Sequence, residues 1–252
     1  MGTVVKLLKK KNGYYYIQMP DQYLGWLDTP SVYVKDQSDV TAWISAPKVI
    51  ITMPTGVIYQ MPGKSSTILC DVVEGCVLKY FGSKNGWTSV ELADGRKGFV
   101  ADTLIQDLDY WNKSRVISAE NIGKTANLFL GIPYLWGGTS IKGMDCSGFV
   151  KTVYHLNGME LNRDANQQAQ QGTPVEPGNH FHNLKKGDLL FFGRKASAGK
   201  QEHITHVAIY LEDGLFIHSS KCVHYGSFKP ASKYYEKALL NKFVRARRII
   251  QK

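Results

Sequence analysis

Two stretches of the chain, 4–27 and 77–100, match at a constant offset of 73 residues. Asn12-Gly13-Tyr14 corresponds to Asn85-Gly86-Trp87, Ile17 and Met19 to Val90 and Leu92, Asp21 to Asp94, and Gly25-Trp26-Leu27 to Gly98-Phe99-Val100. Between these anchors each copy reads as strand, Asn-Gly turn, alternating strand, Asp-containing turn, strand. Asn-Gly supplies the positive φ angles of a two-residue hairpin, and alternation marks a half-buried strand. Self-similarity at a fixed period means two copies of one supersecondary unit, so two small barrels are expected rather than one sandwich. The second copy begins earlier, near Val57, with VIYQMPGKSSTILCDVVEGC. The first has no counterpart of that stretch, and is expected to lack roughly its first fifteen to twenty residues.

At 252 residues the chain has room for two or three small domains. Apolar residues make up 43 % and charged residues 21 %, an ordinary soluble balance that excludes a disordered chain. No apolar run approaches the roughly 20 residues of a membrane helix. Met1–Lys11 does not read as a signal peptide. Four cysteines without a CxxC pair make neither a disulfide scaffold nor a zinc ribbon, and whether Cys70 and Cys76 pair stays open. The net charge of +10 serves solubility or attraction to a polyanion such as an anionic cell wall. The basic runs Lys9-Lys10-Lys11 and Arg245-Ala246-Arg247-Arg248 are not interleaved with aromatics, so nucleic acid is not the expected partner.

Leu104–Ser118 reads as a connector. A helix is expected over Glu120–Leu130, with Ile122, Ala126, Phe129 and Leu130 on one face. Gly131 and Pro133 stop it. The glycine-rich stretch PYLWGGTSIKGMDCSGF, 133–149, then runs into Phe149, Val150, Val153, Tyr154 and Leu156 at helical spacing. This puts Cys146 at or near a helix N-terminus, where unpaired amides and the helix dipole favour negative charge. A thiol there is expected to shift toward thiolate, with Ser147 and Asp145 as caps. A lone cysteine is ordinarily a small buried hydrophobe. The downstream sequence supplies the rest of a site.

Leu184–Phe192 is a turn followed by an apolar strand. A Lys-, Gly- and Ser-rich loop, 193–202, leads to the strand His203–Leu211, with His206, Ala208 and Tyr210 on one face. Asp213-Gly214 turns the chain back into Leu215–Ser219. His206 and His218 lie seven and four residues from that turn, and share a face if the pairing contains a bulge. One cysteine at a helix start and two histidines on adjacent strands match the nucleophile–base–orienter logic of covalent catalysis. A thiolate–imidazolium pair would alkylate at a rate that plateaus at low pH. Zinc on Cys146, His206 and His218 is the other reading, without a close-spaced ligand pair or an obvious fourth ligand.

The three blocks PYLWGGTSIKGMDCSGF, LKKGDLLFF and ITHVAIYLEDGLFIHSS, in that order, resemble the NlpC-type cell-wall cysteine peptidases over about residues 121–250. The repeated Asn-Gly-Trp…Gly-Trp/Phe pattern resembles bacterial SH3-like domains. The implied fold is α+β: a papain-like catalytic domain with a helical part and an antiparallel sheet, preceded by two SH3-like barrels. The implied bounds are 1–50, 51–106, a linker 107–120, and a peptidase domain 121–252. The resemblance makes Cys146 the nucleophile, His206 the base and His218 the third polar residue. It assigns Tyr134, Trp136, Asp145 and Ser147 to substrate and oxyanion contacts. Arg163 and Asp164 resemble the family's LxRD segment, though Ala165 stands where a Ser commonly follows. Trp26 or Tyr23 would supply an aromatic wall for a free N-terminal L-Ala.

The implied reaction is hydrolysis of the γ-D-glutamyl–L-diamino acid bond of peptidoglycan stem peptides or muropeptides. No metal or organic cofactor is expected. The expected state is a monomer in the cell envelope, with cytoplasmic peptide recycling as the other location. The competing readings are a wall-binding scaffold with little activity, or a related amidase or acyltransferase.

Overall fold

The computed structural model describes residues 1–251 and divides into two compact units, 1–114 and 115 onward. In the first unit, β1 (Lys6–Lys11), β2 (Tyr14–Gln18) and β3 (Leu24–Asp28) form a three-stranded antiparallel sheet. Helix α1 (Gln37–Ser45) follows. Then β4 (Lys48–Ile51), β5 (Thr55–Tyr59), β6 (Ile68–Val73), β7 (Val77–Lys84), β8 (Trp87–Glu91), β9 (Lys97–Ala101) and β10 (Ile105–Asp107) pair in the order β10-β4-β7-β8-β9-β5-β6. Helix α2 (Leu108–Ser114) closes the unit.

The repeat survives into the register. Tyr14 pairs with Asp28 and Tyr16 with Trp26, as Trp87 pairs with Ala101 and Ser89 with Phe99. The short 3₁₀ turns Thr29–Ser31 and Asp102–Leu104 extend the match. Asn12 and Gly13 have φ of 49° and 80°, and Asn85 and Gly86 of 54° and 81°, the values a primed hairpin turn demands. The pairing closes neither sheet into a barrel. The three-stranded sheet has no equivalents of β5 and β6. Val49, Ile51, Ile58, Val72, Leu78, Val90, Leu92 and Val100 form the core of the larger sheet. In the smaller one Ile17 alone among the strand residues is buried. All four cysteines are free thiols, Cys70 and Cys76 included.

The second unit opens with α3 (Ala119–Asn127), whose Ser118 cap accepts a hydrogen bond from the Asn121 amide at 3.1 Å. It ends earlier than the apolar spacing suggests, and Leu130 is left exposed. A small hairpin, β11 (Thr139–Ser140) and β12 (Gly143–Met144), precedes α4 (Cys146–Leu156) and the short α5 (Ala165–Gln168). β13 (Thr173–Val175), β14 (Leu189–Arg194), β15 (His203–Glu212), β16 (Leu215–Ser219), β17 (Val223–Ser227) and β18 (Phe243–Arg248) form a six-stranded antiparallel sheet in the order β13-β18-β14-β15-β16-β17. Helix α6 (Lys237–Lys242) lies between β17 and β18.

The sheet is buried on both faces, which explains why β14 reads as a continuous apolar run. Leu189 and Phe191 face the helices, against Phe149, Val150, Val153 and Tyr154 of α4. Leu190 and Phe192 face the other way, with Ala208, Tyr210, Phe216 and Phe228. The class is therefore mixed helix and antiparallel sheet, with α4 laid on the sheet that carries both histidines.

Candidate active site

Cys146 is the first residue of α4, and two contacts fix that helix end. The Asp145 carboxylate accepts from the Gly148 amide at 2.7 Å, the N-cap bond. The turn of Gly148 also lies directly against the glycine loop: a Cβ at Gly148 would sit 2.1 Å from the Gly138 carbonyl oxygen. Only a residue without a side chain lets the helix start this close to the loop. Cys146 is 8 % exposed, and the amides of Val207, Ser147 and Cys146 itself act on its sulfur. Val207 follows His206 on β15, so the thiol sits beside the strand that carries the base.

The two histidines meet because of one extra residue. Ile209 pairs with Ile217 and Tyr210 with Phe216, but Glu212 pairs with Leu215, which leaves Leu211 as a bulge. Carried inward, this register sets Ala208 opposite His218 and His206 two residues farther along the same face. Without the bulge the two rings would lie on opposite faces. As it is, His206 Nε2 is 2.8 Å from His218 Nδ1, with the rings edge to face.

A third group completes the line, and no sequence pattern announced it. Glu236, just before α6, places Oε1 at 2.9 Å from His218 Nε2. Gly226 makes room for it, since a Cβ there would lie 2.8 Å from that oxygen. Glu236 is 18 residues beyond His218 and outside the strands, so neither spacing nor alternation could reveal it.

The proton positions follow from the chemistry of the acceptors. Burial would raise the Glu236 pKa, but the His218 hydrogen bond and the nearby imidazoles hold it below the ordinary glutamate value. The carboxylate can only accept, so His218 carries its proton on Nε2. Neutral His218 then accepts at Nδ1, and His206 must donate from Nε2. The lone pair of His206 is thereby left on Nδ1. Burial, then the charge of His218, pushes His206 down to about 3, so its imidazole is neutral near pH 7. Burial also lowers His218, against the pull of Glu236.

Burial, followed by the Asp145 charge, raises the Cys146 thiol above its ordinary value, although the three amides pull it down. The helix terminus acts in the expected direction, but desolvation is the larger effect. The resting pair is a neutral thiol and a neutral imidazole, in place of the expected thiolate–imidazolium.

The other sequence candidates separate. Tyr134 is half-buried within electrostatic reach of Cys146; burial, then the Cys146 and Asp145 charges, raises its phenol, which stays a donor. Asp145 and Ser147 are buried, and Asp145 is engaged by the Gly137 and Gly148 amides and by both Arg163 terminal nitrogens. Ser147 Oγ accepts from Arg163 at 3.0 Å, and Gln168 Nε2 donates to the Ser147 carbonyl at 3.0 Å. Arg163, placed by the LxRD resemblance, thus locks the segment before α5 to the cap of α4. Trp136 is 86 % exposed and stands outside this cluster.

Residues 131–248 match the NlpC/P60 family model. A γ-D-glutamyl-L-lysine dipeptidyl-peptidase of Bacillus cereus is 30 % identical over 88 % of this chain and 66 % of its own length. Its namesake in Bacillus subtilis is 33 % identical over 80 % of this chain and 62 % of its own. The chain thus spans a little under two thirds of the length of these relatives. A solved NlpC/P60 family protein from Bacillus cereus superposes with a TM-score of 0.79 at 27 % identity, over 98 % of this chain and 79 % of that one. With the match confined to the unit that holds Cys146, His206 and His218, the chain carries an NlpC/P60 domain in its C-terminal region.

Proposed function

We propose that this protein is a cysteine peptidase that hydrolyses the γ-D-glutamyl–L-diamino acid bond of peptidoglycan stem peptides or released muropeptides. Its main support is the hydrogen-bonded line Glu236–His218–His206 beside the α4 terminus that carries Cys146. The names of the two Bacillus relatives support the bond and the diamino acid class.

In the proposed mechanism, His206 Nδ1 takes the Cys146 thiol proton as the sulfur attacks the γ-D-glutamyl carbonyl carbon. The Cys146 amide and the Tyr134 hydroxyl stabilise the oxyanion. The imidazolium gives its Nδ1 proton to the leaving α-amine, and a thioester remains on Cys146. A water molecule, deprotonated by His206, then attacks the thioester, and the proton returns to sulfur as the acid leaves. His218 and Glu236 hold His206 in the tautomer with its lone pair on Nδ1, the nitrogen proposed to take the thiol proton. Asp145, Ser147 and the exposed Trp136 would contact the peptide.

The N-terminal unit is read as two SH3-like modules, 1–50 and 51–106, joined by 107–120 to a peptidase domain over 121–252. Trp26 or Tyr23 would wall a free N-terminal L-Ala. A peptide substrate from the wall fits an enzyme of the cell envelope. Among the described residues no helix is long and apolar enough to cross a membrane.

The test is hydrolysis of L-Ala-γ-D-Glu-L-Lys and its diaminopimelate analogue, with free diamino acid measured. Wild-type protein should release it, and Cys146→Ala should release none while keeping its circular dichroism spectrum. Turnover by Cys146→Ala, or a folded wild type inert on both peptides, would remove the reading.

A further inference from the structure

Two members of the proposed catalytic line, His218 and Glu236, form a second cluster with His224, a residue that peptide hydrolysis does not use. His218 and His224 are directly paired across β16 and β17, with ring centroids 4.3 Å apart. Glu236 Oε1 lies 2.9 Å from His218 Nε2 and 3.3 Å from His224 Nε2. One ligand atom from each of the three residues falls within 4.8 Å of the other two. His218 is 1 % exposed, but the His224 and Glu236 side chains are 36 % and 28 % exposed, which gives an ion a way in from solvent.

The hydrogen-bond pattern leaves one contact open to a cation. His224 Nδ1 lies 2.9 Å from the Cys222 carbonyl oxygen, which can only accept, so His224 carries a proton on Nδ1. His224 Nε2 thus faces a carboxylate oxygen at 3.3 Å, and the gap between them takes either a proton or a metal ion. An imidazole whose far N–H is held by a backbone carbonyl is also the usual setting of a metal-bound histidine. A tetrahedral zinc ion with ligand distances of about 2.1 Å holds its ligand atoms about 3.4 Å apart, so the cluster needs only small side-chain adjustments. Two imidazoles and one carboxylate suit zinc or a similar transition metal, and do not suit magnesium or calcium, which take oxygen ligands.

We propose that His218, His224 and Glu236 form an inhibitory site for a divalent zinc-class ion, with water in the fourth position. The ion occupies His218 Nε2, so the proton of His218 resides on Nδ1. That N–H points at His206 Nε2, which becomes an acceptor, and the proton of His206 moves to Nδ1. Each ring keeps one proton and Glu236 stays a carboxylate. Nδ1, the nitrogen to which the proposed mechanism gives the thiol proton, now carries a hydrogen and cannot accept it. Metal binding thus inverts the tautomers of the whole line and stops attack. The site stands on its own geometry; the inhibition rests on the proposed role of His206.

The test has a binding arm and a turnover arm. Cys146→Ser, which lacks the thiol as a competing ligand, is titrated with zinc against a chromophoric chelator. One zinc ion per chain should bind, and adding His224→Asn or Glu236→Gln should weaken binding by about tenfold or more, the usual effect of losing part of a metal's ligand environment. Absent binding, or affinity indifferent to both substitutions, overturns the site. In the turnover arm zinc should inhibit protein with its native Cys146. The His224→Asn variant, compared with its own metal-free rate, should need about tenfold more zinc for half inhibition. Equal sensitivity overturns the tautomer inversion and points to zinc on the thiol. If metal-free wild type has no turnover, the peptidase reading fails, and the binding arm still decides the site.

Discussion

Arg163 holds both carboxylate oxygens of Asp145, Nη1 at 3.0 Å from Oδ1 and Nη2 at 2.5 Å from Oδ2. The same carboxylate caps α4 through the Gly148 amide and ties down the glycine loop through the Gly137 amide. One ion pair therefore joins the loop, the helix that presents Cys146, and the segment that leads into α5. Both side chains are largely buried, so neither charge can fall back on water if its partner is lost.

Arg163→Met should therefore destabilise the protein by about 3 kcal/mol at neutral pH, the usual cost of stranding one half of a buried pair. The pH dependence has a definite sign. Burial would raise the Asp145 pKa, but Arg163 and the two amides outweigh it and hold the group below its ordinary 3.8. Stabilisation from a lowered carboxyl is complete above that ordinary value and is lost as pH falls through the folded one. Urea midpoints of wild type and variant should differ most near pH 7 and converge below about pH 4. A gap that stays constant down to pH 3 would contradict the pairing.

Alkylation of Cys146 should follow its raised pKa. With Cys70 and Cys222 replaced by Ser, the iodoacetamide rate should climb steadily with pH up to and beyond the ordinary thiol value of 9.0. His206, neutral down to about 3, supplies no imidazolium partner to hold a thiolate at pH 5. A rate plateau between pH 5 and 7 would mean that the ion pair exists at rest and that burial is not the larger effect.

Features coded by near neighbours in the chain were legible before the fold was known. Asp213-Gly214 has φ of 51° and 80°, the same turn as the two Asn-Gly hairpins, and needs no tertiary contact to be recognised. The start of α4 was equally local, since a cap and an apolar spacing suffice. The Leu211 bulge was not legible: it shifts a register by one residue, and no residue type marks it. Glu236 and the Asp145–Arg163 pair were hidden for a different reason. Each depends on which distant segment packs against the site. Two small barrels, the first incomplete, were expected because hairpin chemistry specifies turns and alternation, whereas closure depends on strand partners at the far edges, and the strand orders show no such closing pair.

Gly148→Ala should damage stability and turnover together. The added Cβ would meet the Gly138 carbonyl oxygen at 2.1 Å and Asp145 Oδ1 at 3.0 Å. The first contact is with backbone, so no rotamer relieves it, and α4 must move away from the loop. Overpacking of this kind costs about 2 kcal/mol. A displacement of Cys146 by even a fraction of an ångström should lower kcat/KM by about tenfold or more. A variant with wild-type melting temperature and turnover would show that the helix end is not pinned by the loop.

Glu236 separates a positioning role from a purely structural one. Its Oε1 accepts from His218 Nε2, and that bond fixes the tautomers of both histidines. Glu236→Ala removes the acceptor and frees His218 to turn its proton toward His206. The expected loss is about tenfold in kcat with KM nearly unchanged, because the group orients the base without touching substrate. Glu236→Gln keeps an acceptor oxygen in place and should recover most of that rate. Equal losses in the Ala and Gln variants would instead require the negative charge itself. Unchanged kcat in Glu236→Ala would detach Glu236 from the line altogether and leave His218 to orient His206 alone.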